Sequence, residues 1–332
     1  MTLKRLLAVW LALLTLFLVT SCSGVEKQPS SQTFFVMDTF LTVTLYEERQ
    51  DEIEIFRCVN QIAQEIEKKA SRTLESSEVS AFNRAEKSYT FSPDMAEMIR
   101  MALAMSEATK GAYDITVAPL VDLWNIKEGG PVPEKEALSE ALSLVSYQNL
   151  TLTDRTLSKS DPRISIDLGS VAKGYAIDQI VSYLKEKGCV AIVNFGGNVA
   201  LVGTRAESAT WGVSIRSPFD AQDLIGKFTV SSGAVAVSGD YERYFEKDGV
   251  RYHHILSPFD GYPSRNMRSV AVYAASAAEA DMLSTALFVL GKEKAEEFQS
   301  QSDYQFAYVM TLSESESYVD DSANDIFTPN GE

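Results

Sequence analysis

The order of apolar and polar positions changes period several times along the chain. From Phe34 to Tyr46, Phe40, Thr42, Thr44 and Tyr46 alternate with Leu41, Val43 and Leu45. That two-residue period predicts a buried strand. Ile53, Phe56, Ile62 and Ile66 then recur at helical spacing and predict a long amphipathic helix ending near Ala70. A second helix is predicted from Ser92 to Thr109, with Ser92-Pro93 as cap and first turn and Gly111 beyond its end. Pro133 to Leu144 reads as a shorter one. From Leu150 onward strands dominate, broken by a helix starting near Gly169 and another over Ala277–Leu290. Lys247-Asp248-Gly249, in the middle of Tyr241 to Ile255, predicts a hairpin turn. Tyr304 to Leu312 reads as the last strand. Residues 313–332 carry acidic residues and no Lys or Arg, and are expected to form a solvated acidic tail. Without an internal repeat or a Pro-rich linker, residues 34–312 are expected to form a single α+β domain.

The first segment has its own pattern. Lys4 and Arg5 precede an apolar stretch from Leu6 to Thr20, and Val19-Thr20-Ser21-Cys22 closes it. A basic start and an apolar run are the marks of an export signal, and the run is shorter than the roughly 20 residues of a membrane span. Small residues before a cysteine resemble a bacterial lipobox. Residues 1–21 are therefore expected to be a lipoprotein signal peptide, Cys22 the lipidated N-terminus and residues 22–33 a polar tether. A diacylglyceryl group supplies more than one chain, whereas a single chain binds membranes only marginally. The expected location is extracytoplasmic, held to the membrane by lipid.

Composition narrows the function. The 332 residues carry a formal charge of −16, from 46 acidic and 30 basic side chains, and 45% are hydrophobic. That apolar share suits a large core and excludes a disordered chain. A general nucleic-acid binder needs a basic face, which this balance opposes. An anionic ligand would need a local site that overcomes the global field. The three cysteines, Cys22, Cys58 and Cys189, form no CxxC pair and no disulfide framework.

Five segments could carry chemistry. In Ile166-Asp-Leu-Gly-Ser-Val-Ala-Lys-Gly-Tyr-Ala-Ile-Asp178 a strand ends in an acid and a turn opens a helix. Backbone N–H groups at such a start favour phosphate, and Lys173 adds a charge. It is neither a Walker loop nor a GxGxxG, and by itself it equally describes a structural turn with a surface lysine. Asn194-Phe-Gly-Gly-Asn198 follows an apolar strand and permits close backbone approach, or simply a tight turn. On the late helix Asp281, Ser284 and Thr285 share one face and offer three hard oxygens, which suit Mg²⁺, or a plain capped helix with a hydroxyl face. His253 and His254, the only two histidines, follow the Ser238-Gly-Asp-Tyr-Glu-Arg243 segment. Neighbours on a strand point to opposite faces, so they do not readily share a metal, but one could act as a base. Tyr113-Asp114 through Trp124 reads as a capped turn leading to a packed ring.

Taken together and in order, these segments resemble the ApbE family of bacterial flavin transferases (FAD:protein FMN transferases). The matching stretches are Met37-Asp-Thr39, Ser-Ala-Phe-Asn83, Tyr113 to Trp124, Asp167 to Asp178, Asn194 to Asn198, Ser238 to Phe245, His253 to Gly261 and Glu279 to Gly291. They cover almost the whole chain from Phe34 to Leu312. The resemblance implies an ApbE-like fold of mixed or antiparallel sheets packed with helices. It implies an enzyme that binds FAD as substrate, uses Mg²⁺ on its pyrophosphate, and passes FMN to a threonine of an acceptor protein with release of AMP. Lys173 would hold the diphosphate. Met37, Leu74, Ala112, Tyr113, Asp114, Asp167, Gly197 and Ile255 would line the FAD site, although many relatives have Tyr where this chain has Leu74. Asp281 and Thr285 would ligate Mg²⁺, helped by Ser284, Ser170 or the Ala172 carbonyl. His254 would be the general base and His253 structural. No acceptor-like stretch occurs in this chain, so the acceptor is expected to be a separate exported protein. The alternatives are an Mg²⁺-dependent FAD pyrophosphatase and a flavin-binding lipoprotein without transfer activity.

Overall fold

A computed structural model describes residues 29–205 and 208–331. The expected signal peptide and Cys22 lie outside these residues. The described residues open with β1 (Ser30–Val36) and β2 (Thr39–Leu45), followed by α1 (Glu52–Ala70), α2 (Glu78–Arg84), β3 (Ser88–Thr90) and α3 (Pro93–Ala108). Next come α4 (Ala118–Trp124), α5 (Lys135–Leu142), β4 (Leu150–Thr153), β5 (Thr156–Lys159) and α6 (Ala172–Glu186). Strands β6 (Ala191–Phe195), β7 (Asn198–Val202), β8 (Trp211–Arg216), β9 (Leu224–Val230) and β10 (Gly233–Gly239) lead to the hairpin β11 (Tyr244–Lys247) and β12 (Val250–His253). The rest is β13 (Ser269–Ala274), α7 (Ala277–Leu290), α8 (Lys292–Gln301), β14 (Phe306–Ser313), β15 (Glu316–Val319) and β16 (Phe327–Pro329). Among the described residues no helix is long and apolar enough to cross a membrane.

The expected α+β architecture is what forms. Eight strands make one sheet in the order β1-β2-β6-β7-β10-β13-β14-β15, and each neighbouring pair is antiparallel. The period of two divides its central strands between two cores. Ala200, Ala234, Ala236, Val270, Val272, Tyr308 and Met310 face the larger core, with α1, α3, α6 and α7. Leu201, Val235, Ala271, Ala307 and Val309 face the other way, onto Trp211, Val213, Phe228 and Phe327. Those belong to a small sheet ordered β16-β9-β8. The molecule is thus three layers: helices, large sheet, small sheet. Helix α7, buried on nearly every side, is the central rod of the helical layer.

Four sequence expectations are corrected. The single strand over Phe34–Tyr46 is a hairpin, because Met37 and Asp38 both take positive φ (52° and 57°) and reverse the chain in two residues. Alternation persists on both sides of that reversal, so periodicity alone does not reveal it. The tether expected over residues 22–33 overlaps β1, which begins at Ser30. The expected solvated tail is folded instead. β15 completes the large sheet, β16 pairs with β9, and the buried Phe327 ring lies 4.9 Å from that of Phe228. The acids there are partly structural: Asp320 accepts the Ser322 N–H and caps a short turn. The helix expected near Gly169 starts at Ala172, with Val171 before it.

Candidate active site

One rim of the large sheet gathers most of the chemistry. The β1–β2 turn, the β6–β7 turn, the end of β10 and the start of α6 meet there. A Cβ at Gly196 would lie 3.0 Å from Thr39 Cγ2 and 3.5 Å from Lys173 Cδ, so that turn packs against both other segments. At Gly197 (φ 93°) a Cβ would meet nothing within 4 Å, which leaves its backbone open to a ligand.

Lys173 and Asp281 face each other across two helices. Lys173 Nζ donates to both Asp281 carboxylate oxygens at 3.3 Å and to the Gly169 carbonyl at 3.4 Å. The Gly174 N–H donates to Asp281 Oδ2 at 3.0 Å, so a carboxylate of α7 satisfies an N-terminal donor of α6. A reciprocal contact lies four residues further along α6 and about four residues back along α7. Asp178 of α6 accepts the Ser276 hydroxyl at 2.7 Å and the Ala277 and Ala278 N–H groups at 2.8 and 2.9 Å, capping α7. Between the two clamps the helices nearly touch: a Cβ at Gly174 would lie 2.4 Å from the Ala277 carbonyl oxygen. Asp178 and Gly174 therefore set the register that brings Lys173 to Asp281. Both stand in the segment singled out from the sequence, but without a role there. No local signal pairs them with residues a hundred positions later.

The remaining expected residues divide by what already holds them. Ser284 is buried, donates to the Asp281 carbonyl at 2.9 Å and shares a hydrogen bond with Ser238 at 2.8 Å. Thr285 is half-buried and donates to the same carbonyl at 3.3 Å. Ser170 donates to the Tyr113 phenol at 2.9 Å, and burial keeps that phenol neutral by pushing its pKa far up. Asp114 is held by the Thr116 N–H at 2.8 Å, the Thr116 hydroxyl at 2.6 Å and the Tyr147 N–H at 2.7 Å; burial raises its pKa. Its carboxylate thus organises the turn after Tyr113. Asp167 accepts the Gly169 N–H at 2.7 Å and pairs with Arg72 at 3.4 Å. The Met37 N–H donates to Glu67 at 2.7 Å. Ala112 and Ile255 are buried, whereas Leu74 is exposed. Ala172 opens α6 beside Lys173.

The two histidines differ in their partners. His253 Nε2 lies 2.5 Å from the Ser264 carbonyl oxygen, its Nδ1 accepts the Ile255 N–H at 3.3 Å, and its ring meets Phe288 edge-on. His254 Nδ1 is buried with no hydrogen-bond partner among the described residues. Burial first, then the charges of Arg243 and His253, lower its pKa to about 3; the Lys173 charge acts in the same direction. Its imidazole is therefore neutral near pH 7. Arg243, given no role from the sequence, belongs to this site, and its carbonyl accepts the His254 N–H at 3.1 Å.

Among the described residues no three His, Cys, Asp or Glu side chains group to hold a metal. Asp281 is a single carboxylate among hydroxyls and carbonyls. That set is too hard and too sparse for zinc. It fits Mg²⁺, which keeps waters and takes the rest of its ligands from phosphate.

A helix start, a fixed cation and a neutral buried imidazole on one rim are the parts of an enzyme acting on an anionic substrate. The ApbE family model matches residues 37–310, and the chain belongs to that family. A FAD:protein FMN transferase of Vibrio cholerae is 35% identical over 244 residues, covering 71% of this chain and 73% of its own. One of Haemophilus influenzae is 32% identical over 299 residues, covering 86% and 84%. The crystal structure of the ApbE protein of Thermotoga maritima is similar with a TM-score of 0.84 and 32% identity, covering 90% of this chain and 99% of that one. The flavin transferase ApbE from Vibrio cholerae gives 0.79 at 27% identity, over 90% and 100%.

Proposed function

We propose that this ApbE-family enzyme moves the FMN half of FAD onto a threonine hydroxyl of a separate exported protein, with AMP as the other product. The carrying observation is the Lys173–Asp281 pair together with the unpartnered Nδ1 of His254, whose ring feels the Lys173 charge. The hydroxyl oxygen bonds to the FMN phosphorus as the bond from that phosphorus to the AMP oxygen breaks. The hydroxyl proton passes to His254. A weakly basic imidazole suits the free protein, where burial and then the charges of Arg243, His253 and Lys173 disfavour its protonated form. A diphosphate beside those cations would raise its pKa and make it a stronger base.

Lys173 brings one positive charge to a diphosphate that carries two negative ones. Bound Mg²⁺ would supply the remaining charge and polarise the phosphorus. Asp281 and Thr285 would hold it, helped by Ser170 or the Ala172 carbonyl. Ser284, engaged with Ser238, would support Asp281 rather than reach the ion. Met37, Leu74, Ala112, Tyr113, Asp114, Asp167, Gly197 and Ile255 would surround the flavin, adenine or diphosphate. The enzyme would be extracytoplasmic and anchored through lipid on Cys22.

Incubation with FAD and Mg²⁺, with and without an acceptor protein, tests this reading. Covalent flavin on the acceptor supports transfer. Free FMN and AMP in both samples would mean hydrolysis, and intact FAD would mean binding alone.

A further inference from the structure

The β11–β12 hairpin sorts its side chains between two faces. Its register sets Tyr244 opposite His253 and Glu246 opposite Arg251, and residues directly opposite share a face. The contacts agree: Arg251 pairs with Glu246 at 3.3 Å and lies over the Tyr244 ring at 4.1 Å. The other face carries Phe245 and Tyr252, stacked with ring centroids 5.2 Å apart. Tyr252 stacks in turn on the buried Trp124 at 5.4 Å. One position beyond the hairpin the His254 N–H donates to the Arg243 carbonyl at 3.1 Å, so these two residues stand opposite each other as well. Alternation puts both side chains on the face of Phe245 and Tyr252. Arg243 is exposed and has no ion pair among the described residues. The neighbouring cations are matched: Lys173 by Asp281 at 3.3 Å, and Lys127 by Asp38 at 2.8 Å. Asp38, in the β1–β2 turn, has its pKa lowered first by Lys127, with the Arg243 charge adding to it, and His254 feels the same guanidinium.

We propose that the Arg243 guanidinium holds the phosphate of FAD that the acceptor hydroxyl attacks. The inference rests on the transfer reading above and adds a residue to it. A base that takes the hydroxyl proton must stand beside the attacked phosphorus. A cation directly across the ladder from that base, on the same face, lies within reach of the same phosphate. Guanidinium presents its N–H donors as a planar fork that matches two phosphate oxygens at once. As the hydroxyl oxygen bonds to phosphorus and the bond to the AMP oxygen breaks, negative charge spreads over the oxygens that remain on phosphorus. Lys173 shares its charge with Asp281, whereas the Arg243 donors are free of such a partner. In a chain where 46 acidic side chains face 30 basic ones, an arginine left unpaired beside the imidazole is a place kept for an anionic ligand. The Phe245–Tyr252–Trp124 stack anchors the hairpin, so this guanidinium is carried on a rigid element.

The test compares FMN with riboflavin, which differ only in that phosphate and are not consumed. Flavin fluorescence with Mg²⁺ present reads both affinities, for wild type and for Arg243→Gln. The side chain is exposed and its contact to His254 is made by the backbone, so the variant should keep the wild-type Tm. FMN should bind Arg243→Gln roughly tenfold more weakly, the worth of a charge-assisted hydrogen bond, and riboflavin should bind both proteins equally. Arg243→Lys should recover only part of the loss, because an ammonium lacks the fork. With saturating FAD and acceptor, transfer by Arg243→Gln should fall by about 10² to 10³, as when one donor to a developing oxyanion is removed. Unchanged FMN affinity in Arg243→Gln would overturn the proposal. An equal loss for riboflavin would also overturn it, since Arg243 would then belong to the scaffold. Absence of transfer by the wild type would count against the function instead, and the comparison of FMN with riboflavin would still decide the role of Arg243.

Discussion

At the residue scale, two neighbouring histidines stand in opposite surroundings. His253 is saturated by Ser264 and Ile255, whereas His254 is left with an unpaired nitrogen beside two cations. We expect His254→Ala to bind FAD normally and to lose FMN transfer by about 10² to 10⁴, the usual worth of a general base. Near-normal transfer with the same acceptor and pH would remove His254 from the mechanism. His253→Ala should instead lower stability, by about 2 kcal/mol in urea unfolding, because it vacates a packed position and orphans a carbonyl. Both imidazoles are depressed, His253 to about 4 and His254 to about 3, chiefly by burial. The unfolded chain takes up these protons below about pH 6.5 while the folded chain does not until near those lower values. Stability is therefore full above pH 6.5 and declines through the window beneath it, by at most roughly 1.4 kcal/mol per pH unit per histidine. The raised carboxyl groups of Asp114 and Asp178 act with the opposite sign in more acidic solution. Urea unfolding at pH 7, 6 and 5 reads the slope, and His254→Gln should flatten it; an unchanged slope would contradict the burial of that ring.

At the element scale, the site depends on how closely α6 approaches α7. Gly174→Ala would place a methyl group where the Ala277 carbonyl already sits, and the helices must separate. The expected cost is about 1–3 kcal/mol, as for other overpacked contacts, with a larger loss in turnover than in FAD binding. Asp178→Ala removes the α7 cap and should cost about 2 kcal/mol. If either variant kept wild-type turnover and Tm, the two clamps would not set the register. Helix α7 was legible from its apolar run alone, with the same boundaries. The partner that reads its face was not, because the α6 contact joins residues a hundred positions apart.

At the scale of the whole molecule, the large sheet is covered on both faces, and the chain's last strand belongs to the smaller cover. Truncation after Ser313 should therefore lower Tm and expose the face formed by Leu201, Val235 and Val309, with dye binding as a second readout. Phe327→Ala alone should cost about 3 kcal/mol. A truncated chain with unchanged Tm would restore the solvated-tail reading. Asp281→Ala should abolish Mg²⁺-dependent turnover in a folded protein, and Cys22→Ser should release the protein from the membrane fraction. Unchanged activity at limiting Mg²⁺, or unchanged membrane attachment, would refute each in turn.

The sequence by itself determined the α+β class, the long helices with their caps and breakers, the β11–β12 hairpin and the segments that carry polar chemistry. These depend on short-range causes: periodicity, capping and turn residues act within a few positions. Tertiary structure decided the rest. It alone divided Phe34–Tyr46 into two strands, since the alternation reads the same whether or not the chain reverses. It alone folded the acidic C-terminal segment, because Phe327 has a partner only once β9 is in place. It also set Lys173 on Asp281, left His254 Nδ1 without a partner and brought Arg251 and Arg268 onto Asp240. Burial and long-range charge create those properties, and neither exists until distant segments meet.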